Sequence, residues 1–463
     1  MKKIFTNLFL LSLMIIFSQV AVAQSFSGGT GTETDPYQIS NAADLKTLSY
    51  DVEYNQNNYS GTFFQMTNDI DMSGVTDFRP IGNNIDGDVH AFAGVFDGNG
   101  HKVYNLNANW KEFGFVGLFG IIMNARVENL TLASSDIYGD LSVAGIVGVC
   151  MMDNVISNCH TTSDVTIGVR KFYIAGICGG TLISGSNGTV IKDCTNGARI
   201  TGCVGYSAGI LATNGQANTQ VLRCGNYGEI SDDQLHVAGV VAHTKNGISI
   251  IDCYNTGKIS MLALEGADNA RGAGILAAGD EVTAEEDIVI KNCYNAGSFN
   301  AENEKIHAIY QGDYTYYDNT FVTNCYYASD NISGTYDYSI AMSLEEMKTQ
   351  AFADKLNDGR TDEAYWTFDK GMNNGFPVPT NLDGVPTSIE NVTSTNIVYG
   401  SGMITVTGAN ANALLKVIDL SGRVIATATA DAYGNATISM DNLPVGMYIV
   451  SVNGKSIKVN KAA

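Results

Sequence analysis

The chain has 463 residues, of which 45% are apolar, 50 are glycine and only 6 are proline. This length and apolar content suffice for two or three domains whose buried cores do not depend on disulfides. Abundant glycine with little proline favours many tight turns and an all-β chain. The formal charge of −21 at pH 7 argues against nucleic acid as a partner, because that interaction needs a basic surface.

The N-terminus has the three parts of a secretory signal peptide. Lys2 and Lys3 precede an apolar run, and the small residues Ala21 and Ala23 stand where a signal peptidase cuts. We therefore predict that residues 1–23 are removed, which changes the formal charge from −21 to −23 because two lysines are lost. No other apolar run is long enough to span a bilayer, so we expect no transmembrane segment after cleavage.

Two short patterns alternate along the chain with a period of about 30 residues. The first pattern surrounds a glycine with small and apolar residues, at Gly145, Gly176, Gly209, Gly239 and Gly274. The second ends in a cysteine, at Cys159, Cys194, Cys224, Cys253, Cys293 and Cys325. Units with short, β-branched, glycine-bounded strands cannot bury an apolar face alone and must stack. The sequence predicts a right-handed parallel β-helix, a solenoid, over residues 24–342, including an N-terminal cap.

An asparagine recurs two residues after the cysteine, at Asn196, Asn226, Asn255 and Asn295. Because asparagine tolerates a left-handed backbone and its side chains can bond when stacked, we expect a corner ladder at these positions.

Short helices are predicted to cap both ends of the solenoid. Ser40 or Asn41 can begin a helix near residues 42–50, and Ser343 with Glu346 has capping-box spacing for one helix reaching about Asn357. We assign residues 343–386 to this C-terminal cap and a linker. The alternating strands of residues 387–463 predict a small β-sandwich that serves in sorting or attachment.

Several segments resemble the GLUG-repeat proteins of bacterial surfaces, common in Bacteroidetes. They are residues 28–32 with 35–39, residues 96–101, and Gly117-Leu118-Phe119-Gly120. The tail resembles the type IX secretion sorting domain at residues 419–423 and 443–448. These resemblances imply a secreted or cell-surface protein and, through the tail, contact with the outer-membrane export machinery. They imply no particular activity.

The six repeated cysteines occupy equivalent positions, so stacking should make them a buried row of thiols rather than disulfides. Any disulfide should involve Cys150, Cys178 or Cys203, which fall outside the row. The sequence contains no Cys-x-x-Cys pair, which argues against a zinc or redox site.

Two sets of acidic residues are candidates for catalytic and metal sites. A polysaccharide-cleaving hydrolase or lyase would need clustered carboxylates, for which the candidates are Asp232, Asp233, Asp313 and Asp318. Calcium is the one cofactor considered, with Asp86, Asp88 and Asp97 as candidate ligands, although their glycine-rich surroundings also fit ordinary turns.

Tyrosines give the stronger indication of binding. Tyr254, Tyr294 and Tyr326 each follow a repeated cysteine, so strand alternation should point them outward if the cysteines point inward. Tyr314, Tyr316 and Tyr317 lie in the last coils. Exposed rings suit a glycan or a host or bacterial surface protein, whereas the alternative role is packing between the coils and the cap. The sequence thus favours a non-catalytic, adhesin-like scaffold, with a polysaccharide-cleaving enzyme as the alternative.

Overall fold

The structure is a computed structural model. It describes residues 26–461 except 86, 184, 186, 203–204, 233–234, 262–269, 280–286, 302–305, 312–319, 333–338, 361–365, 381–395, 401, 408, 410–412, 420–422, 431–434 and 453–454. The chain divides into two compact units. One unit contains residues 1–368 and 377–384, and the other contains residues 369–376 and 385–463.

The first unit is a parallel β-solenoid of about eight turns, which confirms the predicted fold class. Each turn passes through four sheets, here called A, B, C and D. In one turn these are Asn154–Thr161, Thr166–Val169, Tyr173–Ala175 and Cys178–Thr181. The next turn then pairs in parallel with the one before it.

The described strands are assigned to the sheets as follows. Sheet A contains Tyr37–Ile39, Phe63–Met66, Ile70–Asp71, Val95–Asp97, Lys102–Tyr104, Arg126–Ala133, Asn154–Thr161, Thr189–Lys192, Thr195–Asn196, Thr219–Leu222, Gly225–Asn226, Ile248–Ile251, Tyr254–Asn255, Ile288–Lys291, Tyr294–Asn295, Thr320–Thr323, Cys325–Ala328 and Ser339–Met342. Sheet B contains Asn107–Asn109, Asp136–Gly139, Thr166–Val169, Arg199–Thr201, Ile230–Asp232, Ile259–Met261 and Phe299–Ala301. Sheet C contains Phe115–Val116, Ser142–Ala144, Tyr173–Ala175, Tyr206–Ala208, His236–Ala238, Arg271–Ala273 and Ile306–His307. Sheet D contains Phe119–Met123, Val147–Met151, Cys178–Thr181, Leu211–Asn214, Val241–Thr244 and Leu276–Gly279.

A column of left-handed residues bends sheet A once in each turn. These residues immediately precede the repeated cysteine or its equivalent and have φ between 50° and 56°: Asn129, Asn158, Asp193, Arg223, Asp252, Asn292 and Asn324. The predicted left-handed corner at Asn196, Asn226, Asn255 and Asn295 is therefore wrong in position. The left-handed backbone lies three residues earlier in each turn.

Those four asparagines nevertheless form the predicted side-chain ladder, inside the solenoid. Asn196 Nδ2 donates to Asn226 Oδ1 at 2.7 Å, and the same bond links Asn226 to Asn255 at 2.7 Å and Asn255 to Asn295 at 2.8 Å. The repeated glycines face this ladder. A Cβ at Gly176 would lie 2.1 Å from Asn196 Oδ1, so the ladder and the glycine pattern require each other.

Short helices precede and follow the coils in the chain; the first packs into the solenoid core, whereas the last packs along sheet A. Helix α1 spans Ala42–Glu53 and is capped by the Asn41 side chain. The single C-terminal helix expected to reach Asn357 is instead two helices, α2 at Leu344–Met347 and α3 at Gln350–Asn357. Ser343 and Glu346 form the predicted capping box of α2, and Thr349 begins α3 with a second cap of its own.

Two short antiparallel pairs complete the first unit. Asn83–Ile85 pairs with Asp88–His90, and Trp366–Thr367 pairs with Val378–Pro379.

The second unit contains two antiparallel sheets around their own apolar cluster, as expected of a β-sandwich. One sheet contains Asn396–Gly400, Met403–Thr407 and Ala436–Ser439, and the other contains Leu414–Asp419, Val424–Thr429, Gly446–Val452 and Lys455–Lys461. A 3-10 turn spans Asn373–Gly375. Asp419 and Arg423 are linked by two hydrogen bonds. Asp419 N donates to Arg423 O at 2.9 Å, and Arg423 N donates to the side-chain oxygen Asp419 Oδ1 at 3.0 Å.

Candidate functional site

The three tyrosines that follow the repeated cysteines are buried, so their expected exposure is wrong. Tyr254 and Tyr294 are fully buried and Tyr326 is 5% exposed. Their neighbouring cysteines belong to the solenoid core, as alternation requires. The rings are covered because the chain after the last coil returns along this surface. Phe352 of α3 packs edge-on against Tyr294 and Tyr326, with ring centroids 5.5 and 5.2 Å apart.

Polar bonds fix this cover to the left-handed corner of sheet A. Arg360 donates two hydrogen bonds to the carboxylate of Asp252, at 2.8 and 3.0 Å. Trp366 Nε1 donates to the same carboxylate at 2.9 Å, and Tyr294 donates its hydroxyl to Pro377 O at 2.7 Å. We call residues 344–360, 366–368 and 377–379 the clamp. The rings beneath it serve in packing, the alternative role considered from the sequence.

Most of the other predicted site residues lie outside the described residues. These are Tyr314, Tyr316, Tyr317, Asp86, Asp233, Asp313 and Asp318. Asp232 ends the sheet B strand Ile230–Asp232, but its side chain is also outside the description. The carboxylates proposed for an enzyme therefore stay a prediction.

The described calcium candidates occupy different surroundings. Asp97 accepts hydrogen bonds from Asn99 N at 2.7 Å, Asn129 Nδ2 at 2.9 Å and Gln65 Nε2 at 3.1 Å, so protein donors already surround its carboxylate. Asp88 is exposed on the short hairpin. Within the part of the chain that the structure describes, no three or more His, Cys, Asp or Glu side chains converge as metal ligands.

The eight described cysteines are buried free thiols. The six repeated ones line the core as predicted. Burial raises the pKa of the Cys194, Cys253 and Cys293 thiols well above the usual value, which disfavours the reactive thiolate. The sulfur atoms of Cys150 and Cys178 are 3.7 Å apart, although Cys178 pairs in sheet D with Val147, three residues before Cys150. Cys203 lies outside the described residues. The cysteines thus act as packing groups.

A different row of rings lies on the outer surface of sheet C. Tyr173, Tyr206 and His236 occupy the same register position in successive turns. The centroids of Tyr173 and Tyr206 are 5.5 Å apart, those of Tyr206 and His236 are 5.0 Å apart, and both pairs are stacked. Phe172 extends the row at one end, 6.0 Å from Tyr173. We call these four residues the ring row.

The ring row changes in exposure and polarity along its length. Phe172 is 47% exposed, Tyr173 and Tyr206 are half-buried, and His236 is 5% exposed. His243 of sheet D stacks on Tyr206 with centroids 4.3 Å apart and bonds to Thr213 Oγ1 at 3.2 Å. Because Tyr173, Tyr206 and His236 are in register, the spacing of their rings follows the separation of neighbouring strands in a sheet. The accessible part of the row consists of Phe172, Tyr173 and Tyr206.

The sequence carries a signal for this row that the tyrosine pattern after the cysteines does not reveal. Tyr173, Tyr206 and His236 each stand three residues before a repeated glycine, and Arg271 occupies the same offset in the following turn. The position three residues before each repeated glycine therefore identifies the row, whereas positions counted from the cysteines do not.

Comparison with known proteins assigns the tail. Residues 400–462 match the secretion system C-terminal sorting domain. This domain directs export by the type IX system, so the protein is secreted or displayed at the cell surface. None of the described helices is long and apolar enough to cross a membrane.

The solenoid resembles a solved structure described as "a putative immunoglobulin A1 protease" from Bacteroides ovatus, with a TM-score of 0.54 and 18% identity, over 77% of this chain and 95% of that one. At this identity the likeness shows the fold alone. A second structure, described as "IgA1 Protease", has a TM-score of 0.47 and 13% identity over 70% of this chain and 24% of that one.

Two curated proteins share part of the sequence. Halomucin of Haloquadratum walsbyi is 34% identical over 147 residues, which is 30% of this chain and 2% of Halomucin. A "Putative Gly-rich membrane protein" of Evansella cellulosilytica is 35% identical over 127 residues, 25% of this chain and 13% of that protein. The chain thus matches only a small part of either relative.

Proposed function

We propose that the protein is a non-catalytic, adhesin-like binding protein whose ring row holds a glycan or a surface protein. The observation that carries this proposal is the in-register stack of Tyr173, Tyr206 and His236, extended by the exposed Phe172. Flat rings provide a large contact area at low cost in conformational entropy, and they stack on apolar faces of sugars or on protein side chains. Export to the cell surface or beyond is consistent with such a role.

Cationic groups beside the row add polar recognition. Arg170 and Lys171 precede Phe172, and both are ion-paired with Asp140, Lys171 at 2.8 Å. Arg271 follows His236 in the same register. The shared Asp140 carboxylate holds Arg170 and Lys171 close to Phe172 in the chain, and exposed ion pairs of this kind contribute specificity more than affinity.

The test uses the purified mature protein against immobilised host, plant and microbial glycans and surface proteins. For any ligand found, Phe172→Ala and Tyr173→Ala should each weaken binding about tenfold, as expected when an aromatic contact worth about 1.4 kcal/mol is lost. The matched control is Phe321→Ala, because Phe321 is 52% exposed in a strand of sheet A. Equal loss from Phe321→Ala, or no loss from either row variant, would contradict the proposed surface.

The same incubations distinguish the enzymatic alternative. Mass spectrometry of the glycans after incubation should find intact polymers if the protein only binds. New oligosaccharides would overturn the non-catalytic assignment and direct mutagenesis to Asp232, Asp233, Asp313 and Asp318.

A further inference from the structure

A cleft lies at the N-terminal end of the solenoid, away from the ring row in sequence and built from other elements. Its walls are the end of α1 at Val52, the loop residues Gln56 and Asn58, the hairpin strand Asp88–His90, and Met123 at the end of the first strand of sheet D. Its volume is about 460 Å³, within the range of small-molecule sites.

His90 is held in one orientation within this cleft. Its Nδ1 bonds to the backbone carbonyl of Glu53, which is the last residue of α1. Because a carbonyl only accepts hydrogen bonds, Nδ1 must carry the proton, and in the neutral ring Nε2 keeps its lone pair. The cleft thus contains a fixed imidazole acceptor.

The remaining polar groups complement that acceptor. Asp88 lies two residues before His90 on the same strand, so both side chains belong to one face of the hairpin. Asn58 Oδ1 already accepts from Ser60 N at 3.1 Å, which leaves its amide NH₂ group to donate. Gln56 can donate and accept, and the half-buried Met123 adds apolar surface.

A buried ion pair supports the wall behind His90. Glu53 is 1% exposed and pairs with Arg79, whose guanidinium lies 4.5 Å from the ring centre of Phe113 and 5.4 Å from that of Tyr54. Burial raises the pKa of the Glu53 carboxyl, and the nearby Arg79 opposes that rise. The end of α1 that positions His90 is therefore held by packing on several sides, as a preorganised site requires.

We propose that this cleft binds one terminal residue of a neutral sugar. Vicinal hydroxyls would donate to the Asp88 carboxylate and to His90 Nε2, and they would accept from the Asn58 amide. The apolar face of the ring would lie against Met123. A phosphate or a carboxylate fits poorly, because Asp88 and the net charge of −21 repel anions.

The experiment titrates the mature protein with the methyl glycosides of glucose, galactose, mannose, fucose and N-acetylglucosamine, observed by saturation-transfer NMR. At least one should bind, and His90→Asn should weaken it tenfold or more, because asparagine keeps a donor for the Glu53 carbonyl but removes the Nε2 acceptor. Asp88→Asn, at an exposed position that folding tolerates, should weaken it similarly. The control is His101→Asn, because His101 pairs with Asp69 instead, where both residues immediately precede strands of sheet A.

The outcome is separable from that of the ring row. Phe172→Ala should leave cleft binding unchanged, so failure at one surface does not decide the other. Absence of binding by all five glycosides would overturn the proposal. Equal binding by wild type, His90→Asn and Asp88→Asn would overturn it too, since the sugar would then bind elsewhere.

Discussion

Replacing Asp252 by asparagine tests how the clamp is held on the solenoid. Asparagine has nearly the same shape and tolerates the left-handed backbone at this position, where φ is 56°. The substitution leaves the Arg360 guanidinium without its anion, whereas Trp366 Nε1 can still donate to the amide oxygen. Breaking a buried pair costs about 3–5 kcal/mol. Because the Arg360 side chain is 26% exposed, solvent screens the pair, and we expect the substitution to lower the free energy of unfolding of the clamp by about 2 kcal/mol.

That loss is smaller than the free energy of ring burial that keeps the clamp docked. Trp366 is 1% exposed and Phe352 is fully buried, and each contributes roughly 1.5–3 kcal/mol or more. The Asp252→Asn protein should therefore keep its native tryptophan emission in water. Its clamp should unfold at a urea concentration lower by about 1 M, given a slope of about 1–3 kcal/mol per molar.

The assay is urea unfolding followed by Trp366 emission in a Trp110→Phe background, since the chain has two tryptophans. The control is Asp193→Asn, because Asp193 has the same φ of 56° and accepts two bonds from Arg223, at 2.6 and 2.9 Å. This control removes an equivalent pair two turns away from Asp252 without touching Trp366. Equal shifts from both variants would refute a local role for the Asp252 pair.

Two further predictions concern buried groups of sheet A. Burial lowers the pKa of His160 to about 4. Between pH 6.5 and 4 the histidine is therefore protonated in the unfolded state but neutral in the folded state. The free energy of unfolding should fall by about 3 kcal/mol as the pH drops through that window. Urea unfolding at several pH values should show this fall, and His160→Asn should reduce the pH dependence of stability. An unchanged pH dependence in that variant would assign it to other groups. Gly225→Ala should lower stability by at least about 2 kcal/mol, because its Cβ would lie 2.1 Å from Tyr254 Cζ. Thermal unfolding measures this loss. The control Gly272→Ala, whose added Cβ would have its nearest neighbour 3.4 Å away, should change stability little, and similar losses from both variants would contradict this steric reason.

The sequence predicts the solenoid well because its constraints repeat once per turn. A glycine that faces an asparagine and a cysteine that faces the core recur at fixed offsets, so periodicity alone indicates the stacking. The position of the left-handed corner is harder to predict. Asparagine, aspartate and Arg223 all occupy it, whereas the uniform asparagines two residues after the cysteine make interior bonds instead.

The burial of Tyr254 and Tyr294 could not be predicted from the repeat. Alternation gives the direction of a side chain but not what covers it, and here the cover comes from residues more than 100 positions after Asp252. The Ser343 capping box indicates that a helix begins there, yet it does not specify the surface against which that helix packs.

The two outer surfaces differ in how strongly packing determines their residues. On sheet A, Gly225 must lack a side chain because Tyr254 lies over it, and Tyr254 in turn lies beneath the clamp. The position three residues before the repeated glycine holds Ser142, then Tyr173, Tyr206, His236 and Arg271 in successive turns. One site in the repeat thus accepts a hydroxyl, a ring and a cation without altering the coil. The coil geometry therefore does not require the stacked rings of Tyr173, Tyr206 and His236, which supports the proposed binding role of this surface.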